Sequence, residues 1–128
     1  MAWQRARALV LRIYAVTGEG GLARDEDLSG HIRQSATAMM AKIAGGFEGD
    51  DPDVSLEYFS AADASRAALE CHLHVAHEAG SLDPTTFDEL LTQARQMEWL
   101  IGALRASLTR PRRRSGRPSD PVPRGPRS

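Results

Sequence analysis

Asp27-Leu28-Ser29-Gly30-His31-Ile32-Arg33-Gln34-Ser35-Ala36-Thr37-Ala38-Met39-Met40-Ala41-Lys42-Ile43-Ala44-Gly45-Gly46-Phe47 is the stretch on which the reading of the fold turns. Leu28, Ile32, Ser35, Met39 and Ile43 recur at steps of four, three, four and four, the period of one helix face. Ala36, Ala38, Ala41 and Ala44 surround that face and let neighbouring helices come close. Gly45-Gly46 then reads as the end of the helix, because glycine enters the left-handed C-cap conformation without a Cβ penalty. Gly46 is accordingly expected at positive φ.

Working outward, the same period recurs three more times. A first helix is predicted from about Ala2 to Thr17, with Ala6, Leu9, Ile13 and Val16 on one face, and Gly18, Gly20 and Gly21 read as a linker. Asp25, Glu26 and Asp27 place carboxylates at the positive end of the second helix. Asp51-Pro52 is an N-cap followed by a first-turn proline and launches a third helix. There Phe59, Ala62, Ser65, Leu69, Leu73 and Ala76 form the apolar face, and Gly80 reads as the C-cap. Asp83-Pro84 repeats the device for a fourth helix, striped by Phe87, Leu90, Ala94, Met97, Ile101, Leu104 and Leu108. Short loops between consecutive long helices make neighbours antiparallel. The expected fold is therefore all-α, an antiparallel up-down-up-down four-helix bundle over residues 1–109.

Composition agrees. Aromatic residues make up 5% of the chain, which suits a bundle packed with Leu, Ala and Met better than a sheet. No run reaches the apolar length that spans a bilayer, and the N-terminus has no signal-peptide pattern. Cys71 is the single cysteine, so no internal disulfide forms and a cytoplasmic location is expected. The net charge of −1 conceals a division. Residues 110–128 hold seven Arg and one Asp, a net +6, which leaves −7 on residues 1–109. Val122 is the one apolar residue of that segment besides proline, so it is expected to be a disordered tail.

The organising helix resembles the second helix of the 23S rRNA intervening-sequence protein family, also called four-helix bundle proteins. Trp3-Gln4-Arg5-Ala6 is similar to the family's Trp-Gln-Lys-Ala opening, and Tyr14 and Thr17 fall where its first helix has Tyr and Thr. Leu28, Ile32, Arg33, Ala36, Ile43, Ala44 and Gly46 match the second helix. Phe59, Ala62, Ser65, Leu69, Glu70, Leu73, Ala76 and Gly80 match the third, and Leu104 and Leu108 the fourth. Against that pattern, His31 stands for a glutamine, Gln34 for a second arginine, Lys42 for an asparagine, Gly45 for a glutamate and Ala68 for another glutamate. The resemblance implies a ring-like homopentamer without catalytic activity. A similar branch, the accessory variability proteins of diversity-generating retroelements, comprises basic pentamers that associate with a reverse transcriptase and with nucleic acid.

Four groupings bear on function. Cys71, His74 and Glu78 share a helix face, with His77 beside them, a spacing open to Zn²⁺ or Ni²⁺. A tetrahedral site needs a fourth ligand from a second cluster, and the sequence offers none at matching spacing, so no metal or other cofactor is expected. Cys71 and His72 are adjacent and point about 100° apart on a helix, so they do not form a nucleophile and base; the chain is read as no enzyme. Arg110, Arg112, Arg113, Arg114 and Arg117 form a positive cluster suited to nucleic-acid phosphates. Arg5, Arg12, Arg33 and Lys42 are the bundle residues that a ring would multiply into a basic surface. Leu11, Tyr14, Val75 and Trp99 lie off the apolar faces and are expected at a subunit interface. The leading reading is thus a non-catalytic, self-associating accessory protein that binds RNA or DNA. The alternative is a protein-interaction module that touches no nucleic acid.

Overall fold

Three aspartates set where the long helices begin. Asp25 accepts a hydrogen bond from the Leu28 N–H at 3.1 Å and starts α3, Glu26–Glu48. Asp51 accepts from the Asp53 N–H at 2.9 Å and starts α4, Pro52–Glu78. Asp83 accepts from the Thr86 N–H at 3.1 Å and starts α5, Pro84–Thr109. Each carboxylate satisfies a donor that the first helical turn leaves over, and Pro52 and Pro84 occupy positions whose N–H would go unused. Before them come α1, Ala2–Thr17, and a single turn, α2, Gly20–Ala23. The structure is a computed structural model that describes residues 1–109. Five helices and no strand occur among the described residues. The predicted tail, 110–128, with Arg110, Arg112, Arg113, Arg114 and Arg117, lies outside them.

The apolar stripes turn inward as their spacing requires. Ala6, Leu9, Ile13 and Val16 of α1 are buried, as are Ile32, Ser35, Met39 and Ile43 of α3, with Leu28 packed against them. On α4 the whole predicted face from Phe59 to Ala76 is buried. On α5 Phe87 through Ile101 are buried, while Leu104 and Leu108 pack at the margin. α1 packs on α3 and α5, α3 packs on α4, and α4 packs on α5. Most of the stability comes from this shared face, since helices in isolation are marginal.

Gly80 ends α4 as expected. It sits at φ +80°, its N–H reaches the His77 carbonyl, and the Ser81 N–H reaches the Ala76 carbonyl, the paired bonds of a Schellman cap.

Gly45 and Gly46 do not behave that way. α3 runs through both to Glu48, and neither has positive φ, which among the described glycines belongs to Gly20 and Gly80. Their role is close approach. A Cβ on Gly45 would lie 2.6 Å from Cε1 of Tyr58, and one on Gly46 would overlap the ring of Phe59. The missing side chains are the seats of two α4 aromatics. The linker also needs correction: Gly20 and Gly21 open α2, which buries Leu22, and Ser29 donates its hydroxyl to the Leu22 carbonyl.

Candidate nucleic-acid and subunit interfaces

The four bundle cations expected to bind phosphate, Arg5, Arg12, Arg33 and Lys42, are spread around the helices and already engaged. Arg12, on α1, makes a paired contact with Glu89 of α5, Nε to Oε2 at 2.8 Å and Nη2 to Oε1 at 3.0 Å. The hydrogen bond from Arg12 holds the Glu89 carboxyl below its ordinary range. Arg5, about two turns earlier, donates to Gln96 Oε1 at 3.1 Å. Arg33, on α3, faces α1 instead: its Nε donates to Thr17 Oγ1 at 2.7 Å, and its guanidinium lies 5.0 Å from the centre of the Tyr14 ring. Lys42 turns toward α4 and donates to Ser65 Oγ at 3.0 Å. These four residues therefore sit at three helix junctions, α1 with α5, α1 with α3, and α3 with α4. One copy of the bundle does not assemble them into a single patch.

The apolar candidates are exposed. Trp99 is 73% exposed, and Leu11, Tyr14 and Val75 are each about half exposed. Leu11 and Tyr14 share α1, Val75 is on α4 and Trp99 on α5, beside a cleft lined by Met1, Arg5, Gln96 and Leu100. Tyr14 is held by its cation–π contact with Arg33, which fixes the ring without covering it. A second apolar group, Phe47, Val54 and Tyr58, lies at the α3–α4 turn and also faces solvent. Sequence spacing alone places Phe47 one position past a supposed helix end, which hid its membership.

A family model described as 23S rRNA-intervening sequence protein matches residues 1–103. The chain belongs to this family. The match takes in α1 to α4 and most of α5, and it stops short of the arginine segment. No match was found among curated proteins.

Two further features of this intervening-sequence family member escaped the sequence reading. The first is a polar latch between α3 and α4. Ser35 Oγ lies 2.9 Å from the His31 carbonyl oxygen and 3.1 Å from His72 Nδ1, and the His31 and His72 rings stack with centroids 5.4 Å apart. A serine against a histidine invites comparison with a nucleophile and its base. Here, however, the carbonyl competes for the single hydroxyl proton, and the mid-helix N–H groups around Ser35 belong to the helix ladder, not to an oxyanion. His74 and His77, the histidines that share the Cys71 region of α4, pack on Phe87 at 5.1 and 4.3 Å between centroids.

Burial and then the neighbouring His31 lower the His72 pKa from its ordinary value. The unfolded chain therefore takes up this proton first as pH falls. The His72 contribution is complete above about pH 6.5 and is lost progressively below it, as pH falls toward the folded-state value. The unfolding temperature should drop between pH 7.5 and 5.5, and His72→Gln should flatten that slope. An unaltered slope in the variant would show that the latch does not carry the dependence.

The second feature is a buried guanidinium. Arg66 is 7% exposed; it donates from Nε to Asp63 Oδ1 at 2.9 Å and from Nη1 to Glu70, and its Nη2 lies 3.8 Å from Glu98 of α5. Glu70 also lies 4.0 Å from Arg95. Burial opposes the Arg66 charge, but its hydrogen bonds and ion pairs with Asp63 and Glu70 outweigh it and raise the pKa further. The carboxylates one turn to either side of Arg66 were visible in the sequence. Its burial against α5 was not.

Proposed function

We propose that this protein is a non-catalytic, homo-oligomeric accessory protein that holds structured RNA or DNA through the arginine segment 110–128. The observation that carries the reading is the charge division, −7 over residues 1–109 against +6 over residues 110–128. The bundle cations Arg5, Arg12, Arg33 and Lys42 are committed to hydrogen bonds on different faces, so the segment is the concentrated positive charge. The family description, with its reference to 23S rRNA, favours RNA over DNA as the first ligand to test.

The scaffold in this reading is an up-down-up-down four-helix bundle, with α2 a decoration between the first two long helices. Side-chain pairs support that topology. Ser35 meets His72, Lys42 meets Ser65, and Gly46 faces Phe59, so numbers rise along α3 as they fall along α4. Arg5 with Gln96 and Arg12 with Glu89 run the same way for α1 and α5, and His77 with Phe87 and Arg66 with Glu98 for α4 and α5. Subunits would associate through Leu11, Tyr14, Val75 and Trp99 into a ring, a pentamer by family resemblance, in which each basic segment is repeated. A reverse transcriptase is a candidate protein partner on the same ground. No helix among the described residues is long and apolar enough to cross a membrane.

Replacing Arg110, Arg112, Arg113, Arg114 and Arg117 by serine should weaken binding of a labelled structured RNA at least about 10-fold at low salt. It should also flatten the salt dependence, because fewer counterions are released. Sequence preference should be slight, since contacts to phosphates position without specifying. Light scattering on the same samples should return the mass of an oligomer. Equal affinity for the variant would move the site to the bundle cations. Failure of the intact protein to bind RNA or duplex DNA at low salt would favour the protein-interaction reading, for which the exposed apolar residues are the supporting observation.

A further inference from the structure

The α3–α4 turn carries an apolar patch with an acidic rim. Phe47 is 56% exposed, and Val54 and Tyr58 stand one turn apart on the same face of α4, with the Tyr58 ring over Gly45. Phe47 is braced edge-on against Phe59, centroids 5.3 Å apart, so its ring is held outward and not merely loose. Glu48, Asp50, Asp53 and Glu57 surround these residues. All four are exposed, and among the described residues none has an ion-pair partner.

Where α5 ends decides what reaches this patch. Arg66 is level with Glu98 and His77 with Phe87, so eleven residues further along each helix Thr109 comes level with Ser55, in the first turn of α4. The chain therefore leaves the described residues at the end of the bundle that carries Glu48, Asp50 and Asp53. Packed helices stand about 8–10 Å apart. Arg112, Arg113 and Arg114 follow Thr109 by three to five residues, a reach of about 10–17 Å for extended chain. Guanidinium groups suit both parts of the patch, pairing with carboxylates and stacking on aromatic faces.

We propose that the arginine segment 110–128 docks on its own bundle, over Phe47, Val54 and Tyr58 and their acidic rim, and exchanges this seat for nucleic-acid phosphate. The exchange rests on the function proposed above; the docking does not. In the free protein the segment is held at one end of the bundle, and phosphate must displace it. Binding is then weaker than the segment alone would give.

Photo-crosslinking of the full chain tests this. With Phe47→p-benzoylphenylalanine, irradiation should join residue 47 to a peptide from 110–128 while the chain keeps its single-chain mass on a denaturing gel. The same group at Val75, about 25 Å away along α4, should give no such product. Glu48→Gln, Asp50→Asn and Glu57→Gln together should reduce the yield at least about five-fold and tighten RNA binding beyond the effect of neutralising Asp27, Glu78 and Asp88. A structured RNA should compete with the product. No product at position 47, equal product at Val75, or a product of two-chain mass would overturn the docking, the last by making a second copy the occupant. A position-47 product with no RNA bound under any condition would leave the docking standing and remove the nucleic-acid reading.

Discussion

Gly46→Ala is expected to lower the stability of the bundle by about 1–3 kcal/mol, although alanine is the better helix former. In an exposed helix interior that exchange stabilises by roughly 1 kcal/mol. At Gly46 the new methyl meets the ring of Phe59, which is itself buried at the α3–α4 contact and braced by Phe47. Neither helix can yield without disturbing Met39 and Ile43 on one side or Ala62 on the other, and overpacking of this kind costs about 1–3 kcal/mol, sometimes more. Gly46→Val should be worse, because it adds two γ-methyls to the Cβ that already meets the ring.

Two companions make the result interpretable. Gly30→Ala lies in the same helix, where an added Cβ meets nothing within 4 Å, and should stabilise by about 0.5–1 kcal/mol. Phe59→Leu shortens the obstructing ring and should recover part of the loss when combined with Gly46→Ala, so the pair should be non-additive in a double-mutant cycle. Urea unfolding followed by circular dichroism measures the parent and each of these variants. Gly46→Ala as stable as the parent would mean that α3 and α4 do not approach as closely as the ring contact requires.

The same position shows what the sequence could and could not convey. Periodic apolar residues are a local signal, so the four stripes, the caps Asp51 and Asp83 and the C-cap glycine Gly80 were legible, while Asp25 was read as helix-end charge and not as the cap it is. Gly45-Gly46 is ambiguous by nature. Glycine ends a helix by its freedom at positive φ and permits close approach by lacking a side chain, and only the position of Tyr58 and Phe59 distinguishes the two. The pairing of Arg12 with Glu89 joins residues 77 positions apart and left no trace in spacing. The engagement of Arg12 with α5 and the exposed seat of Phe47 against Phe59 were both hidden for the same reason: each depends on a partner helix. Leu22 was missed because one apolar residue in a glycine-rich run has no period to reveal it.

Arg66→Ala should cost about 2–3 kcal/mol, the other large effect expected in this bundle. Removing one partner of a fully buried ion pair costs roughly 3–5 kcal/mol, because the remaining charge is left without compensation. Here the value is smaller, since the Glu98 side chain is 58% exposed and Asp63 reaches water in part. Asp63 and Glu70, two turns apart on the same face of α4, would nevertheless lose the positive charge between them, with Glu70 mostly buried. Arg66→Met keeps the aliphatic stem that fills the α4–α5 contact and should cost less, about 1–2 kcal/mol. Adding Glu70→Leu to Arg66→Met should restore much of the loss, because well-packed apolar groups often replace a buried pair without penalty. Arg66→Lys should fall between, as an ammonium lacks the planar fork that serves Asp63 and Glu70 at once. If Arg66→Met matches the parent in urea unfolding, the carboxylates find other partners and the guanidinium is dispensable. The charge of Arg66 is also fully used inside the bundle, so Arg66→Met should leave RNA affinity within about two-fold of the parent while the serine substitutions in 110–128 abolish most of it. Comparable losses from both would mean that phosphate contacts extend over the body, and that the division of charge along the chain is not the division of labour.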